Sequence, residues 1–158
     1  MIDSYESILS RQPFVVRRRV RWSDCDPAGV VYTGKFTDYV LNAVGLFQAE
    51  LSQGHPAEWR KSLGVDTPCK GMALEFHRAL WPEEEFQMRL DVPEVREHGY
   101  DIRIQATQPG GVRIFSARFS PICIRRDARV RAPIPAALLD ALAPFRADPE
   151  SVQPGVPR

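Results

Sequence analysis

One turn-rich segment of the sequence has the residue types that acyl-transfer chemistry needs. Asp26 stands between a run with strand periodicity and a run with helix periodicity, and the rigid Pro27 and the permissive Gly29 follow it. The first turn of a long helix presents unpaired N–H groups and the positive end of the helix dipole. Such donors can hold the oxyanion that develops on a carbonyl substrate while a carboxylate attacks the carbonyl or activates a water. An aspartate before a helix is also a common helix cap, and the residues alone favour that role.

The elements that must position this segment follow from the hydrophobic pattern. Phe14 to Trp22 alternates apolar and arginine residues, which predicts a half-buried strand, and Arg18 interrupts its apolar face at an edge or an interface. From Gly34 to about Gln53 apolar residues recur every three or four residues, which predicts a long helix enclosed on most sides by other structure. Residues 55–69 are predicted to be a long connection.

Strand periodicity then returns and holds to residue 124, with a Pro-Gly-Gly turn at 109–111 that is typical of a hairpin. Residues 135–145 are predicted to form a short helix. A twisted antiparallel sheet with one face against the long helix accounts for every apolar face. We therefore expect an α+β domain with a five-stranded antiparallel sheet over residues 13–147. An N-terminal arm, 1–12, precedes it and a mobile C-terminal tail, 148–158, follows it.

Composition argues against several function classes. The 158 residues include 21 Lys plus Arg and 20 Asp plus Glu, so the net charge of +1 gives no reason to expect nucleic acid or an anionic membrane as partner. No apolar run approaches the roughly 18–20 residues of a membrane span. Cys25, Cys69 and Cys123 are too widely spaced for a disulfide framework or a zinc site and favour a reducing, cytoplasmic location. The three histidines are equally scattered, and we expect no metal and no redox cofactor.

Residues 24–32, with the sequence DCDPAGVVY, closely resemble the signature of hot-dog-fold thioesterases of the 4-hydroxybenzoyl-CoA type. The resemblance covers roughly residues 14–135, because the strand order, the long helix and the hairpin also match. It implies the hot-dog fold, in which the sheet wraps around one long central helix. It also implies an acyl-CoA thioesterase, in which coenzyme A is part of the substrate. Asp26 would be the nucleophile or the general base, and the backbone N–H of Thr33 would be the oxyanion donor.

The resemblance also implies which residues bind substrate. Tyr32 and the helix face near Leu41 should border the acyl group. The related enzyme has an acidic residue at the position of Leu41. We therefore expect benzoyl, phenylacetyl or medium-chain acyl-CoA to be hydrolysed at least as well as the 4-hydroxybenzoyl ester. Arg96, Arg129 and Arg131 match bases that lie near the coenzyme A phosphates in that family.

By the same resemblance, two subunits should pair into a continuous sheet as a homodimer or homotetramer, with the active site at their interface. Two alternatives to an acyl-CoA thioesterase stay open on the sequence. One is a thioesterase that acts on acyl-carrier-protein substrates, and the other is a non-catalytic acyl-CoA-binding hot-dog module. The carboxylate of Asp26 argues against the second, because a pure binder gains little from a carboxylate beside a thioester.

Overall fold

The computed structural model describes residues 4–147, and the predicted tail, 148–158, lies outside the described residues. The helices are α1 (Thr33–Leu51), α2 (Pro56–Leu63) and α3 (Ala136–Leu142), and short 3-10 turns cover Trp22–Asp24 and Ala143–Phe145. The strands are β1 (Glu6–Arg11), β2 (Phe14–Arg19), β3 (Val65–Asp66), β4 (Cys69–Phe76), β5 (Glu85–Val95), β6 (Tyr100–Gln108), β7 (Val112–Pro121) and β8 (Ile124–Arg125).

Six strands form one antiparallel sheet in the order β1-β2-β5-β6-β7-β4, and β3 and β8 form a separate two-stranded ladder. The predicted antiparallel sheet with one long helix is confirmed, but the sheet has six strands where the sequence predicts five. The added strand is β1, which lies within the predicted N-terminal arm and pairs with β2 from Glu6↔Arg18 to Arg11↔Phe14. None of its residues is fully buried. An edge strand of this kind needs few apolar side chains, so its pattern does not stand out in the sequence.

The core lies between α1 and the inner face of the sheet. Buried side chains of α1 are Phe36, Tyr39, Val40, Ala43, Val44, Phe47 and Leu51. They meet the inward-facing residues of β2, β5, β6 and β7, and burying each large apolar side chain contributes about 1.5–3 kcal/mol. Among residues 4–147, no helix has both the length and the apolar character that crossing a membrane requires.

The structure corrects two local predictions and shows the surroundings of Arg18. The first predicted strand ends at Arg19, and Trp22 lies in a 3-10 turn with 72% of its surface exposed. Arg18 faces inward, is 5% exposed and lies in β2, next to the edge strand β1. Within the predicted connection 55–69, α2 begins with Pro56 at its first position and ends before Gly64, which has a left-handed φ of 70°. Proline and glycine at these two positions are recognised helix boundaries.

The sheet has two ends, and they matter for the site. At one end, here called the Asp26 end, β2 leads toward the Asp26 segment, and Phe76 at the end of β4 contacts Phe36 of α1 with ring centroids 5.0 Å apart. At the other end, here called the arginine end, β5 finishes at Val95 and β4 begins at Cys69. Because α1 starts near Phe76, α1 and β4 run in opposite directions, and the C-terminal part of α1 lies at the arginine end.

Candidate active site

The Asp26 segment is a tight, hydrogen-bonded turn between β2 and α1. The N–H of Asp26 donates to Val30 O at 2.9 Å, and the N–H of Gly29 donates to Asp26 O at 2.9 Å. Gly29 has a φ of 84°, a left-handed conformation that glycine adopts at little cost. The Oδ1 atom of Asp26 accepts the N–H of Ala28 at 2.9 Å, which fixes the carboxylate within its own turn. Among residues 4–147 the other oxygen, Oδ2, has no hydrogen-bond partner.

The start of α1 is uncapped. Tyr32 is the N-cap residue, and no side chain of the described residues makes a capping hydrogen bond there. Asp26 is therefore not the helix cap that the residues alone suggested. The N–H of Tyr32 donates to Asp24 O at 3.1 Å and the N–H of Lys35 donates to Tyr32 O at 2.9 Å. Within the described chain this leaves the N–H groups of Thr33 and Gly34 without a backbone acceptor, at the positive end of a 19-residue helix.

The Tyr32 ring lies across this first helical turn. A Cβ atom at Gly34 would be only 2.0 Å from the Tyr32 hydroxyl oxygen, so the phenol occupies the space that any side chain at residue 34 would need. Tyr32 is 54% exposed. The ring is thus free on one face to contact a ligand that approaches the helix start.

Asp24 is buried behind the turn as a charged group. Its exposed fraction is 2%. Burial alone would raise its pKa, but the Tyr39 hydroxyl, the Arg21 N–H and the positive charges of Lys35 and Arg18 outweigh burial and lower the pKa of Asp24. The same burial and hydrogen bond raise the pKa of Tyr39, so the phenol stays protonated and donates to Asp24 Oδ2 at 2.7 Å.

Cys25 is the other reactive residue type in the motif. Burial, with the neighbouring carboxylates of Asp24 and Asp26, raises the pKa of its thiol. The thiolate is the nucleophilic form of cysteine, so this environment disfavours attack by Cys25. The half-buried side chain packs against the core instead.

A basic pocket of about 420 Å³ lies at the arginine end. Arg60 of α2 and Arg129 line it together with Gln48, near the end of α1, and Asp66 of β3. Among the described residues neither Arg60 nor Arg129 forms an ion pair. Arg129 has a left-handed φ of 50° at the turn that follows β8, a conformation that is uncommon outside glycine. Residues from four separate segments thus line one cavity, where Arg60 and Arg129 lie with the carboxylate of Asp66, which itself pairs with Arg126 at 3.6 Å. Two arginines against one carboxylate in the lining are suited to an anion.

Comparison with known protein families identifies the fold and the class. The family model described as the Thioesterase-like superfamily matches residues 20–142, well over half of the chain. The chain belongs to the thioesterase-like superfamily. The predicted hot-dog fold and the predicted enzyme class, thioesterase, are confirmed at this level.

Solved structures agree with this family. The thioesterase-like chain is 25% identical to a thioesterase superfamily protein from Jannaschia sp. CCS1, with a TM-score of 0.74 over 85% of this chain and 94% of that one. A 1,4-dihydroxy-2-naphthoyl-CoA thioesterase from Synechocystis is 21% identical, with a TM-score of 0.72 over 82% of this chain and 95% of that one. A gentisyl-coenzyme A thioesterase is 22% identical, with a TM-score of 0.67 over 82% of this chain and 98% of that one. At these identities the last two likenesses show the fold alone.

One curated relative is a protein from Aquifex aeolicus whose assignment as an esterase is itself provisional. The chain is 26% identical to it over 83 residues, which are 52% of this chain and 63% of that protein. The chain thus spans less than two thirds of this relative's length.

The structure gathers only part of the predicted site of this thioesterase-like chain. Asp26, Tyr32 and Thr33 lie together at the Asp26 end. Leu41 lies on an exposed face of α1 with 45% of its surface free, about 12 Å along the helix axis from Thr33. The three predicted arginines lie at the arginine end, separated from the Asp26 end by the length of β5, roughly 30 Å. These are Arg96, Arg129 and Arg131.

The three arginines also differ in how they are engaged. Arg96 donates to Asp101 at 2.7 and 3.2 Å and lies 3.2 Å from Glu94. The Asp101 hydrogen bond in particular raises the pKa of Arg96. A phosphate would have to displace these carboxylates. Arg131 is exposed beside β8, at a β-bridge to Ile124, and does not line the pocket. Only Arg129 faces the basic cavity.

Two residues of the arrangement were missed by sequence reasoning. Asp24 is the first residue of the motif at 24–32, and its position two residues before Asp26 is a signal that could have identified it. Arg60 gives no local signal, because it lies in a short amphipathic segment and comes to the same cavity as Arg129 only through the fold. A basic residue is visible in the sequence, but the cavity that it lines is not.

Proposed function

We propose that this chain hydrolyses aryl or medium-chain acyl-CoA thioesters, with Asp26 as nucleophile or general base. The observation that carries the proposal is the pairing of a carboxylate, held by its own turn with Oδ2 unengaged, with an uncapped helix start a few residues later. The family supports a thioesterase, and two of the structural neighbours are named for aryl-CoA esters.

Either role of Asp26 gives a balanced reaction. As nucleophile, an Asp26 oxygen attacks the thioester carbonyl, the C–S bond breaks, coenzyme A leaves as a thiolate that takes up a proton, and water hydrolyses the resulting anhydride. As general base, Asp26 removes a proton from the water that attacks the carbonyl, the C–S bond then breaks, and the leaving coenzyme A thiolate takes up that proton. In both routes the carbonyl oxygen becomes negative, and we assign the N–H of Thr33 as its donor. One such donor is typically worth 10²–10³ in rate. Coenzyme A enters as part of the substrate, and neither route uses a metal or a redox cofactor.

The acyl end of the site would be bordered by Tyr32 and Leu41. Leu41 offers no hydrogen bond, and a buried hydroxyl left without a partner costs about 1–3 kcal/mol. We therefore expect that benzoyl-, phenylacetyl- or medium-chain acyl-CoA is hydrolysed at least as well as 4-hydroxybenzoyl-CoA. The two named neighbours act on hydroxylated aryl groups, so the test must include gentisyl-CoA and 1,4-dihydroxy-2-naphthoyl-CoA.

For the nucleotide end, we propose that Arg129 binds the coenzyme A phosphates and that Arg60, on the same cavity, assists it. Within one chain this cavity and Asp26 lie at opposite ends of α1 and β4. One coenzyme A thioester therefore cannot reach both of them in the same chain. A second copy that pairs antiparallel along β4 would place the Cys69 end of one β4 beside the Phe76 end of the other. The arginine pocket of one subunit would then lie beside the Asp26 end of its partner.

The β4 edge has the properties that such pairing needs. Within residues 4–147, β4 is hydrogen-bonded on one side only, to β7, and its inward-facing Met72 and Phe76 are 40% and 48% exposed. Long unprotected edge strands tend to pair with another chain. We therefore propose a homodimer through β4, with a homotetramer as a further step. Light scattering should report twice the 17.9 kDa chain mass or more. A 17.9 kDa particle at micromolar concentration would contradict this assembly.

The experiment that tests the function is a thiol-release assay with a panel of acyl-CoA esters and one acyl-carrier-protein ester. Turnover of free CoA esters supports the proposal. Turnover of the carrier-protein ester alone would instead favour the carrier-protein thioesterase. Tight binding of acyl-CoA without release of thiol would favour the non-catalytic acyl-CoA-binding module. We also propose a cytoplasmic location, which free Cys25, Cys69 and Cys123 favour and which suits a substrate made from coenzyme A.

A further inference from the structure

Asp24 is a buried carboxylate that the proposed reaction does not use. Both of its oxygens are engaged. Oδ2 accepts the Tyr39 hydroxyl at 2.7 Å and the Arg21 N–H at 3.0 Å, and Oδ1 lies 3.4 Å from Lys35 Nζ. The guanidinium of Arg18 lies 3.7 Å from Oδ2. A charge buried to this extent is costly unless it is paired and hydrogen-bonded, and these four groups supply both the hydrogen bonds and the opposite charges.

The main chain of Asp24, unlike its side chain, contacts the residue that precedes the proposed oxyanion donor. Its carbonyl oxygen accepts the N–H of Tyr32 at 3.1 Å, and Tyr32 immediately precedes Thr33. Asp26 follows Asp24 by two residues. The side chain meanwhile holds Lys35 and Tyr39, which belong to the first two turns of α1. One residue is therefore tied both to the turn that presents the carboxylate and to the helix that presents the N–H.

We propose that Asp24 is a positioning residue that fixes the carboxylate of Asp26 relative to the N–H of Thr33. This inference rests on the proposed function, because it assigns these two groups to the reaction. Reacting groups must be held within about 0.5 Å of the productive geometry, and a misplacement of about 1 Å can cost about 10²-fold in rate. A buried anchor that joins both groups supplies this precision.

The anchor extends to the edge strand β1. Arg18 lies 3.2 Å from Glu6 of β1, and its guanidinium stacks over the Tyr39 ring at 5.1 Å. Glu6 and Arg18 both precede residue 20, where the match to the family model begins. The ion pair between Glu6 and Arg18 therefore lies outside the region that the family model matches. It connects the sheet edge to the buried side of the Asp26 turn.

The test compares two substitutions of buried carboxylates. Asp24→Asn keeps the shape of the side chain but removes its charge, and kcat should fall about tenfold or more while KM stays within about twofold. The matched control is Asp101→Asn. Asp101 is 6% exposed, is bound by Arg96 at 2.7 Å and lies at the arginine end. We expect Asp101→Asn to lower stability and to leave kcat within about twofold of the wild type. Tyr39→Phe removes one bond to Asp24 and should lower kcat less than Asp24→Asn.

Amide hydrogen exchange at Tyr32 gives a second measurement that needs no substrate. In Asp24→Asn the Tyr32 amide should exchange about tenfold faster relative to core amides of β6, and in Asp101→Asn it should not. Unchanged exchange at Tyr32, or equal losses of kcat in the two asparagine variants, would overturn the positioning role. A wild-type protein that hydrolyses no CoA ester would instead overturn the proposed function, and the exchange measurement would still decide whether Asp24 anchors the turn.

Discussion

The two ends of this molecule that we assign to one reaction are built in opposite ways. The Asp26 end is made from consecutive chain, in which residues 24–35 form a turn, a helix start and their own hydrogen bonds. The arginine end is assembled from α1, α2, β3 and the turn after β8, and its cavity exists only because these segments meet. A local segment can be recognised by its sequence. A cavity of distant segments cannot, although both ends would be needed to hold a molecule as long as an acyl-CoA.

The largest expected effect is at the Asp26 end. Asp26→Asn keeps the size of the side chain but removes both the nucleophile and the base, so kcat should fall by at least about 10²-fold with little change in folding. Steady-state kinetics on the best ester, with thermal unfolding as control, measures both. If Asp26→Asn retained most of its turnover, the assignment of the carboxylate would be wrong.

Arg129→Ala should mainly raise KM, by about tenfold, since hydrogen bonds between charged groups are worth about 1.5–3 kcal/mol and this one is exposed. In the proposed dimer, Asp26 and Arg129 of one site come from different chains. Refolding Asp26→Asn together with Arg129→Ala in equal amounts should make half of the dimers mixed, each with one intact site.

At low substrate the refolded mixture should reach about a quarter of wild-type activity, well above the average of the two variants measured separately. If the mixture only equals that average, Asp26 and Arg129 do not act on one substrate across a subunit interface. The two ends would then have unrelated roles.

A smaller effect is expected at the helix start. Gly34→Ala pushes the Tyr32 ring off the first turn, because the added Cβ would lie 2.0 Å from the hydroxyl oxygen. If the ring borders the acyl group, KM for aryl esters should rise about fivefold, which corresponds to about 1 kcal/mol of aromatic contact. The matched control is Gly45→Ala on the same helix, where a Cβ would meet nothing within 4 Å. Equal KM values in the two variants would show that Tyr32 does not contact the acyl group.

The smallest effect concerns acid stability. The pKa of Asp24 is lowered in the folded chain, so its charge stabilises the fold above its unfolded pKa of about 3.9, and that stability is lost as pH falls through the folded pKa. The difference in free energy of unfolding between wild type and Asp24→Asn should therefore shrink as pH falls below about 4. Urea unfolding from pH 7 to pH 3 measures it. A difference that is constant with pH would mean that the charge of Asp24 does not contribute to stability.

Much of the fold was predictable from the sequence, because the long helix and the middle strands have strong periodicity and each has one face to bury. The misjudged elements, β1 and α2, are weakly apolar, and both are stabilised mainly by what they pack against. β1 pairs with β2 through its backbone, and backbone pairing leaves little trace in side-chain pattern. For α2 the boundary residues Pro56 and Gly64 are visible in the sequence, but none of the eight residues from Pro56 to Leu63 is fully buried, so the segment has no strong apolar pattern.

The turn around Asp26 follows from the local sequence, since Asp, Pro and Gly at these spacings dictate a local conformation that depends on few distant contacts. The long helix that begins just after the turn follows from its apolar periodicity. The burial of Arg18, its ion pair with Asp24 and the placement of Arg60 and Arg129 at one cavity depend instead on tertiary packing. The two arginines of the cavity are 69 positions apart in the sequence. Burial and charge pairing depend on the environment that the whole chain creates, and no local pattern encodes that environment.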